Sequence, residues 1–212
     1  MNTFIQPNSA GYDAIADALV EHGYCILPQF LAPELNTALY QRVLSLDEQA
    51  FQQAGVGRDT HFQLNQTIRR DHTYWLSDSH PIDMAYLEQM SAFRLAINQR
   101  LFMGLFDYES HYALYPPGAF YKKHVDAFKG QSSRILTTVL YLNPDWQDSD
   151  GGQLLLYRDD AETLISNVNP DFATFVVFLS ERFPHEVVKS HRDRYSIAGW
   201  FRLQDPLQPP AL

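Results

Sequence analysis

In the segment Tyr121-Lys122-Lys123-His124-Val125-Asp126 an imidazole and a carboxylate stand two residues apart. Side chains at i and i+2 of a strand project to the same face, so an extended segment brings His124 and Asp126 together. A second histidine, His185, lies in Phe183-Pro184-His185-Glu186-Val187, between an apolar run ending at Leu179 and a strand expected to start near Glu186. Two neutral imidazoles and one carboxylate on one face of a divalent metal form the facial triad associated with non-haem Fe(II) oxygenases. The carboxylate offsets part of the metal charge, and the remaining positions stay open for dioxygen and a chelating cosubstrate. A 2-oxo acid chelates through its keto oxygen and adjacent carboxylate, which leaves any far carboxylate in need of a fixed cation. Arg194 meets that need, because it opens the otherwise apolar strand Ile197-Ala198-Gly199-Trp200-Phe201, where an unpaired guanidinium is costly and an Arg fork can hold a carboxylate bidentately. Arg194 at a solvated strand end is the alternative. Tyr141, in Val139-Leu140-Tyr141-Leu142-Asn143, can give the same carboxylate a phenolic hydrogen bond or can be a core tyrosine.

Other reactive residue types read as structural. His111 and His191 have no carboxylate at the needed spacing, so His111 is expected to be a strand residue and His191 a surface one. Cys25 is the single cysteine, which excludes an intramolecular disulfide and a Cys-based zinc or iron-sulfur site. It is expected to behave as a small buried apolar residue. Lys122, Lys123, Lys129 and Arg134 bracket the triad segment, either as a solvated strand edge or as a patch that steers an acidic protein partner.

These side chains must be carried by rigid elements. Ile15, Leu19 and His22 fall at helical spacing with Gly23 as C-cap, and residues 24–30 then resemble a strand. Pro33 opens a second helix carrying Leu35, Leu39, Val43 and Leu46. A third helix is expected over residues 81–104, where Leu87, Met90, Phe93, Ile97 and Leu101 form a stripe at i, i+3 and i+4 that reads as a packing face. Beyond Phe106 come short runs rich in β-branched and aromatic residues: 110–115, 120–126, 134–142, 153–157, 163–168, 174–179, 186–189 and 194–202. Turn residues separate them, including Pro116-Pro117-Gly118 and the stretches 148–152 and 167–171. The pattern predicts a mainly β fold with supporting α-helices, a double-stranded β-helix of jelly-roll type. With no internal repeat or linker, residues 1–212 are read as one domain: 1–106 largely helical support and 107–202 the barrel core. The polar stretch 47–65 lacks a clear period and is read as a loop.

The chain has 212 residues, 45% apolar and 19% charged, enough to bury a substantial core and ordinary for a globular protein. A net charge of −9 argues against general binding to a nucleic-acid backbone. No Lys or Arg precedes Arg42, so neither a secretory nor a mitochondrial leader is expected, and no apolar run approaches a membrane span. A cytoplasmic protein is expected.

Taken together, the motifs resemble those of the Fe(II)- and 2-oxoglutarate-dependent prolyl hydroxylases related to the animal hypoxia-inducible-factor prolyl hydroxylases. The resemblance runs from Thr67 to Arg202, about two-thirds of the chain. It is carried in order by Ile68-Arg69-Arg70-Asp71 with Trp75, Tyr115-Pro116, His124-Val125-Asp126, Tyr141-Leu142-Asn143 with Trp146, Gly151-Gly152, Pro184-His185-Glu186-Val187, and Arg194-Tyr195 with Trp200. It is most similar to the bacterial branch, whose characterised type hydroxylates a proline of elongation factor Tu. The resemblance implies that His124, Asp126 and His185 ligate Fe(II), and that Arg194 and Tyr141 hold the distal carboxylate of 2-oxoglutarate. Tyr115 would bond near its metal-binding end. Arg69, Asp71 and Trp75 would lie on a flexible strand-connecting loop that closes over the peptide, with His72 in the same loop, and Trp200 would line the prolyl pocket. It further implies O2 as cosubstrate, stimulation by ascorbate, a monomer, and elongation factor Tu as protein partner, with neither nucleic acid nor membrane involved. Two departures are noted: the connection from Tyr115 to His124 is one residue shorter than in the animal enzymes, and no accessory zinc domain is expected ahead of the catalytic part. Two other readings stay open, a hydroxylase of a free amino acid or small molecule and a non-catalytic cupin-like metal-binding protein.

Overall fold

Alternation with a period of two runs through the second half of the chain, and it sorts the strands of the larger of two sheets into one face toward helices and one toward the smaller sheet. The computed structural model describes residues 9–54, 67–127 and 132–204. Eleven strands are present among them: β1 (Tyr24–Leu27), β2 (Gln52–Gln53), β3 (His72–Trp75), β4 (Asp107–Tyr115), β5 (Tyr121–His124), β6 (Arg134–Tyr141), β7 (Leu154–Tyr157), β8 (Leu164–Val168), β9 (Phe175–Leu179), β10 (His185–Val187) and β11 (Arg194–Arg202). A seven-stranded sheet has the order β1-β9-β6-β11-β4-β3-β2, and a four-stranded sheet the order β5-β10-β7-β8. Their pairings are antiparallel. The two sheets enclose a core, giving the double-stranded β-helix, or jelly roll, expected from the strand pattern.

Three helices, α1 (Ser9–Glu21), α2 (Pro33–Leu44) and α3 (Pro81–Leu101), cover the outer face of the large sheet. On that face Tyr112, Leu136, Leu140, Phe175, Val177, Ile197 and Phe201 pack against Ile15, Leu39, Met90, Phe93 and Ile97. The alternate residues Ala113, Tyr115, Tyr141, Val176 and Phe178 point inward and meet Leu154, Leu156, Val168 and Val187 of the small sheet. Burial of side chains such as these stabilises the fold by about 1.5–3 kcal/mol each.

Element ends follow local chemistry. Both α2 and α3 have proline in the first turn, where the missing N–H costs nothing, and the His80 imidazole accepts from the Ile82 amide at the start of α3. Gly23 ends α1 at φ +83°, its amide donating to the carbonyls of Ala18 and Leu19. A Cβ at Gly23 would also lie 2.9 Å from Arg182 and 3.0 Å from Phe183.

The structure corrects several expectations. His22 lies past the last turn of α1 and is exposed, because Gly23 ends the helix before a further turn can carry it inward. The α3 stripe is fully buried at Met90, Phe93 and Ile97 but only partly at Leu87 and Leu101, and Asp83 and Tyr86 are buried beside it. The first half supplies more strand than expected: β1 forms at one edge of the large sheet within the stretch read as a strand, and β2 and β3, not expected from the pattern, complete the other edge. Of the stretch read as a loop, residues 48–50 form a 3-10 turn and residues 52–53 form β2, while residues 55–65, like Lys129, lie outside the described residues. No helix is long and apolar enough to cross a membrane among the described residues.

Candidate active site

β5 and β10 are neighbours, and the pair His124↔His185 in their ladder sets the two imidazoles side by side, 4.3 Å between centroids. The strand ends at His124, so Asp126 sits in the bend beyond it and not on the strand as expected. It nonetheless faces both rings, with Oδ1 3.5 Å from His124 Nε2 and Oδ2 3.7 Å from His185 Nε2. One potential ligand atom from each of the three residues lies within 4.8 Å of the others. Each histidine places Nδ1 on the carbonyl two residues earlier, His124 on Lys122 at 2.8 Å and His185 on Phe183 at 2.9 Å. A carbonyl only accepts, so Nδ1 carries a proton and Nε2 is the nitrogen left to face Asp126, as an N–H when the ring is protonated and as a lone pair for a metal when it is neutral. Thr137, from β6, donates to Asp126 Oδ2 at 2.7 Å and contacts the Ser180 hydroxyl at 2.9 Å. Burial opposes ionisation of Asp126, but the imidazoles and the Thr137 hydroxyl outweigh it and hold the carboxyl well below its usual range. Burial and the neighbouring His124 push His185 down to about 4. A charged carboxylate and two neutral imidazoles are the protonation states that bind a divalent cation.

Deeper in the barrel, Arg194 is 1% exposed, and its Cζ lies 4.8 Å from the Tyr115 ring centre and 4.9 Å from that of Tyr141. Its Nε donates to the Gly152 carbonyl at 2.8 Å and Nη1 approaches Ser196 Oγ at 3.4 Å. Asn143 holds the start of this strand by accepting from the Tyr195 amide and donating to the Tyr195 carbonyl. Gly152, at φ +68°, makes room for Arg194, since a Cβ there would lie 2.9 Å from Arg194 Cδ. Among the described residues no carboxylate pairs with Arg194, and the fully buried Tyr141 hydroxyl has no hydrogen-bond partner. Burial pushes the Tyr141 phenol up to about 12, and burial followed by the Asp71 charge pushes Tyr115 well above its ordinary value. A neutral phenol donor and an uncompensated buried guanidinium together suit a carboxylate ligand.

Toward the other end of the same inner face, Trp75 and Trp200 flank His111 at centroid distances of 5.1 and 5.4 Å. Trp75 is half exposed, whereas Trp200 is buried, and its indole N–H and His111 Nδ1 both lack a hydrogen-bond partner among the described residues. Arg134 stacks on Trp200 at 3.6 Å and pairs with Glu109 at 2.7 Å. Lys122 and Lys123 are exposed, with Lys123 donating to the Ala161 carbonyl. A groove of about 500 Å3, lined by Val125, Ile135, Leu179 and Pro184 and by the charged Asp159, Glu181 and Arg182, adjoins the ligand-bearing segments.

His111 gives a pH-dependent test. Burial, with further repulsion from Arg69 and Arg134 only partly offset by Asp71 and Asp126, pushes its imidazole down to about 3. The unfolded chain takes up this proton near pH 6.5 while the folded protein does not, so the associated stability is fully present above about pH 6.5 and falls as pH drops toward 3. His111→Leu is therefore expected to reduce by about 2 kcal/mol the stability lost between pH 7 and pH 5, measured by urea unfolding of metal-free protein. Equal losses in parent and variant would refute it.

Segment 69–75 is not a free loop. His72 to Trp75 form β3, paired with β4 from Leu114 back to His111, because the alternating residues Thr73 and Trp75 face the barrel and His72 and Tyr74 the helices. His72 therefore points away from the site. Arg69 makes a bidentate pair with Asp71, whose side chain is fully buried, so Asp71 offers no surface to a substrate. His191 is exposed, as expected, and Cys25 is half-buried against the helical core with its thiol pushed up by burial. Three residues of the site were not singled out for it from the sequence: Thr137, Tyr121 and His111. His111 carried a usable signal, since His111, Ala113 and Tyr115 share one face of β4 by period two.

Residues 110–202 match the 2OG-Fe(II) oxygenase superfamily. The structure is similar to a Pseudomonas putida prolyl-4-hydroxylase at 39% identity and TM-score 0.82, covering 92% of this chain and 100% of that one. It is also similar, at 28% identity and TM-score 0.80 over 92% and 90% of the two chains, to a Trichoplax adhaerens prolyl hydroxylase solved with a hypoxia-inducible-factor degradation-domain peptide. Mouse Egl nine homolog 1 is 26% identical over 88% of this chain and 48% of that protein, and the chain spans about half the length of the first curated relatives it matches. The chain belongs to the 2OG-Fe(II) oxygenase superfamily, whose members use Fe(II), 2-oxoglutarate and O2. Within that superfamily it is a homologue of the prolyl hydroxylases.

Proposed function

We propose that the chain is a peptidyl-prolyl 4-hydroxylase that couples oxidative decarboxylation of 2-oxoglutarate to hydroxylation of a proline in a protein, with elongation factor Tu as the substrate. The observation that carries the reading is the presence in one barrel of the His124/Asp126/His185 cluster and of Arg194, which is buried and, among the described residues, has no carboxylate partner beside the likewise unpartnered Tyr141 hydroxyl. Fe(II) held there supplies oxidation by O2. His124 and His185 offer Nε2 and Asp126 the negative charge. Arg194 and Tyr141 orient the distal carboxylate of 2-oxoglutarate, with Tyr115 toward its other end. Trp75 and Trp200 offer aromatic faces to a prolyl ring, and the adjoining groove, part apolar and part charged, offers surface to the flanking peptide.

Similarity to the Pseudomonas and Trichoplax enzymes supports proline in a protein as the target. The choice of elongation factor Tu rests on the resemblance of the motifs to the bacterial branch, and exposed Lys122 and Lys123 are compatible with an acidic partner. The same reading makes the protein a single-domain, cytoplasmic monomer stimulated by ascorbate. To test it, protein loaded anaerobically with Fe(II) and 2-oxoglutarate is exposed to air with purified elongation factor Tu. Mass spectrometry is expected to find one added oxygen on a proline, with matching succinate. Succinate without modified factor, alongside a hydroxylated small molecule, would overturn the substrate assignment.

A further inference from the structure

Tyr121 and His124 stand three residues apart on β5, a spacing that puts side chains on opposite faces of a regular strand. Their rings nevertheless stack, 3.6 Å between centroids and 16° between planes. The register explains how: Tyr121 pairs with Val187 and His124 with His185, so three steps along β5 are matched by two along β10. The extra residue is a β-bulge at Lys122-Lys123, which turns His124 back to the face of Tyr121. The Lys122 carbonyl in that bulge also accepts the hydrogen bond from His124 Nδ1–H.

The stacked pair is secured from outside. The Arg69 guanidinium lies 4.3 Å from the centre of the Tyr121 ring, and Asp71 holds it through Nε–Oδ1 at 2.7 Å and Nη2–Oδ2 at 2.5 Å. On either side of Tyr121 the backbone of the same segment closes the free edge of β5, with Lys122 N donating to Ile68 O and Arg70 N to Phe120 O. A few residues later the chain enters β3 of the large sheet. Residues 68–75 thus cross from one sheet to the other, with the ion pair at the crossing. His124 is the more exposed of the two imidazoles, 17% against 7% for His185, so fewer neighbours restrain it from elsewhere.

We propose that Arg69, Asp71 and Tyr121 act as a clasp that positions His124 and thereby sets how tightly the site retains a divalent metal. This rests on the reading of His124, Asp126 and His185 as metal ligands. The clasp works by orientation: the buried Asp71 carboxylate fixes the guanidinium, the guanidinium fixes the Tyr121 ring, and the ring fixes the imidazole plane with Nε2 toward Asp126.

The experiment uses Co(II), read by its visible absorption and by its release rate to excess chelator. Tyr121→Leu and Asp71→Asn are expected to bind Co(II) about 10–100-fold more weakly than the parent, as loss of a ligand-orienting partner does, whereas Tyr121→Phe keeps the ring and stays within about twofold. Circular dichroism and thermal melting of the metal-free proteins separate positioning from misfolding. If Asp71→Asn does not fold, the Tyr121 pair alone decides. Folded Tyr121→Leu with parent-like Co(II) affinity and release would overturn the clasp while leaving the metal site in place. A parent that takes up no Co(II) would overturn the metal-site reading, and the clasp with it.

Discussion

Replacing Asp126 by alanine is expected to lower succinate formation to below about one-thousandth of the parent rate while leaving the metal-free fold intact. The carboxylate is the only anion in the His124/Asp126/His185 cluster, and its two oxygens face one imidazole each. Without it two neutral nitrogens remain, too few to hold a hard divalent cation in competition with water. The chain still folds without it but gives up some stability, because the imidazoles and the Thr137 hydroxyl more than offset the cost of burying the carboxylate. Thr137, which donates to it, keeps the Ser180 hydroxyl as a partner. Succinate is measured with excess Fe(II), so weak binding alone is not mistaken for lost chemistry, and thermal melting of both metal-free proteins checks the fold. Undiminished succinate from a folded variant would remove Asp126 from the site.

Much of this site follows from period-two reasoning on the strands. Tyr115, Tyr141 and Arg194 fall on strands recognisable from their β-branched and aromatic neighbours, and the ladder pairs Arg194 with Tyr115 and the nearby Ser196 with Tyr141. What escaped that reasoning are the places where the ladder is irregular. The bulge in β5 adds one residue, which reverses the parity that would otherwise set Tyr121 against His124. Asp126 reaches the imidazoles from a bend, so the i, i+2 rule named the right pair through a geometry it does not describe. β3 is a four-residue strand, His-Thr-Tyr-Trp, whose faces are both partly apolar, and its pairing with β4 is a long-range contact with no local signal. The Arg69–Asp71 pair likewise looks like surface charge in a sequence, although its carboxylate is fully buried.

Arg194→Met tests the other end of the cavity, and its expected signature is a divergence between binding and stability. The apparent KM for 2-oxoglutarate should rise by about 100-fold or more, since breaking a buried, hydrogen-bonded charge pair typically costs about 3–5 kcal/mol. The metal-free protein should melt no lower than the parent, because methionine fills similar space and removes a guanidinium that no carboxylate of the described residues balances. The lost donor to the Gly152 carbonyl opposes this gain by about 1 kcal/mol. A 2-oxo acid with a methyl group in place of the distal carboxylate supplies the complementary arm. The parent should use it poorly, and Arg194→Met should narrow the gap between the two acids, because the methionine leaves no charge for the methyl group to strand. Tyr141→Phe removes one hydrogen bond to the same carboxylate and should give a smaller, roughly tenfold rise in KM. A merely structural arginine would show the reverse pattern in Arg194→Met: a lower melting temperature, both 2-oxo acids affected alike, and no change in their ratio.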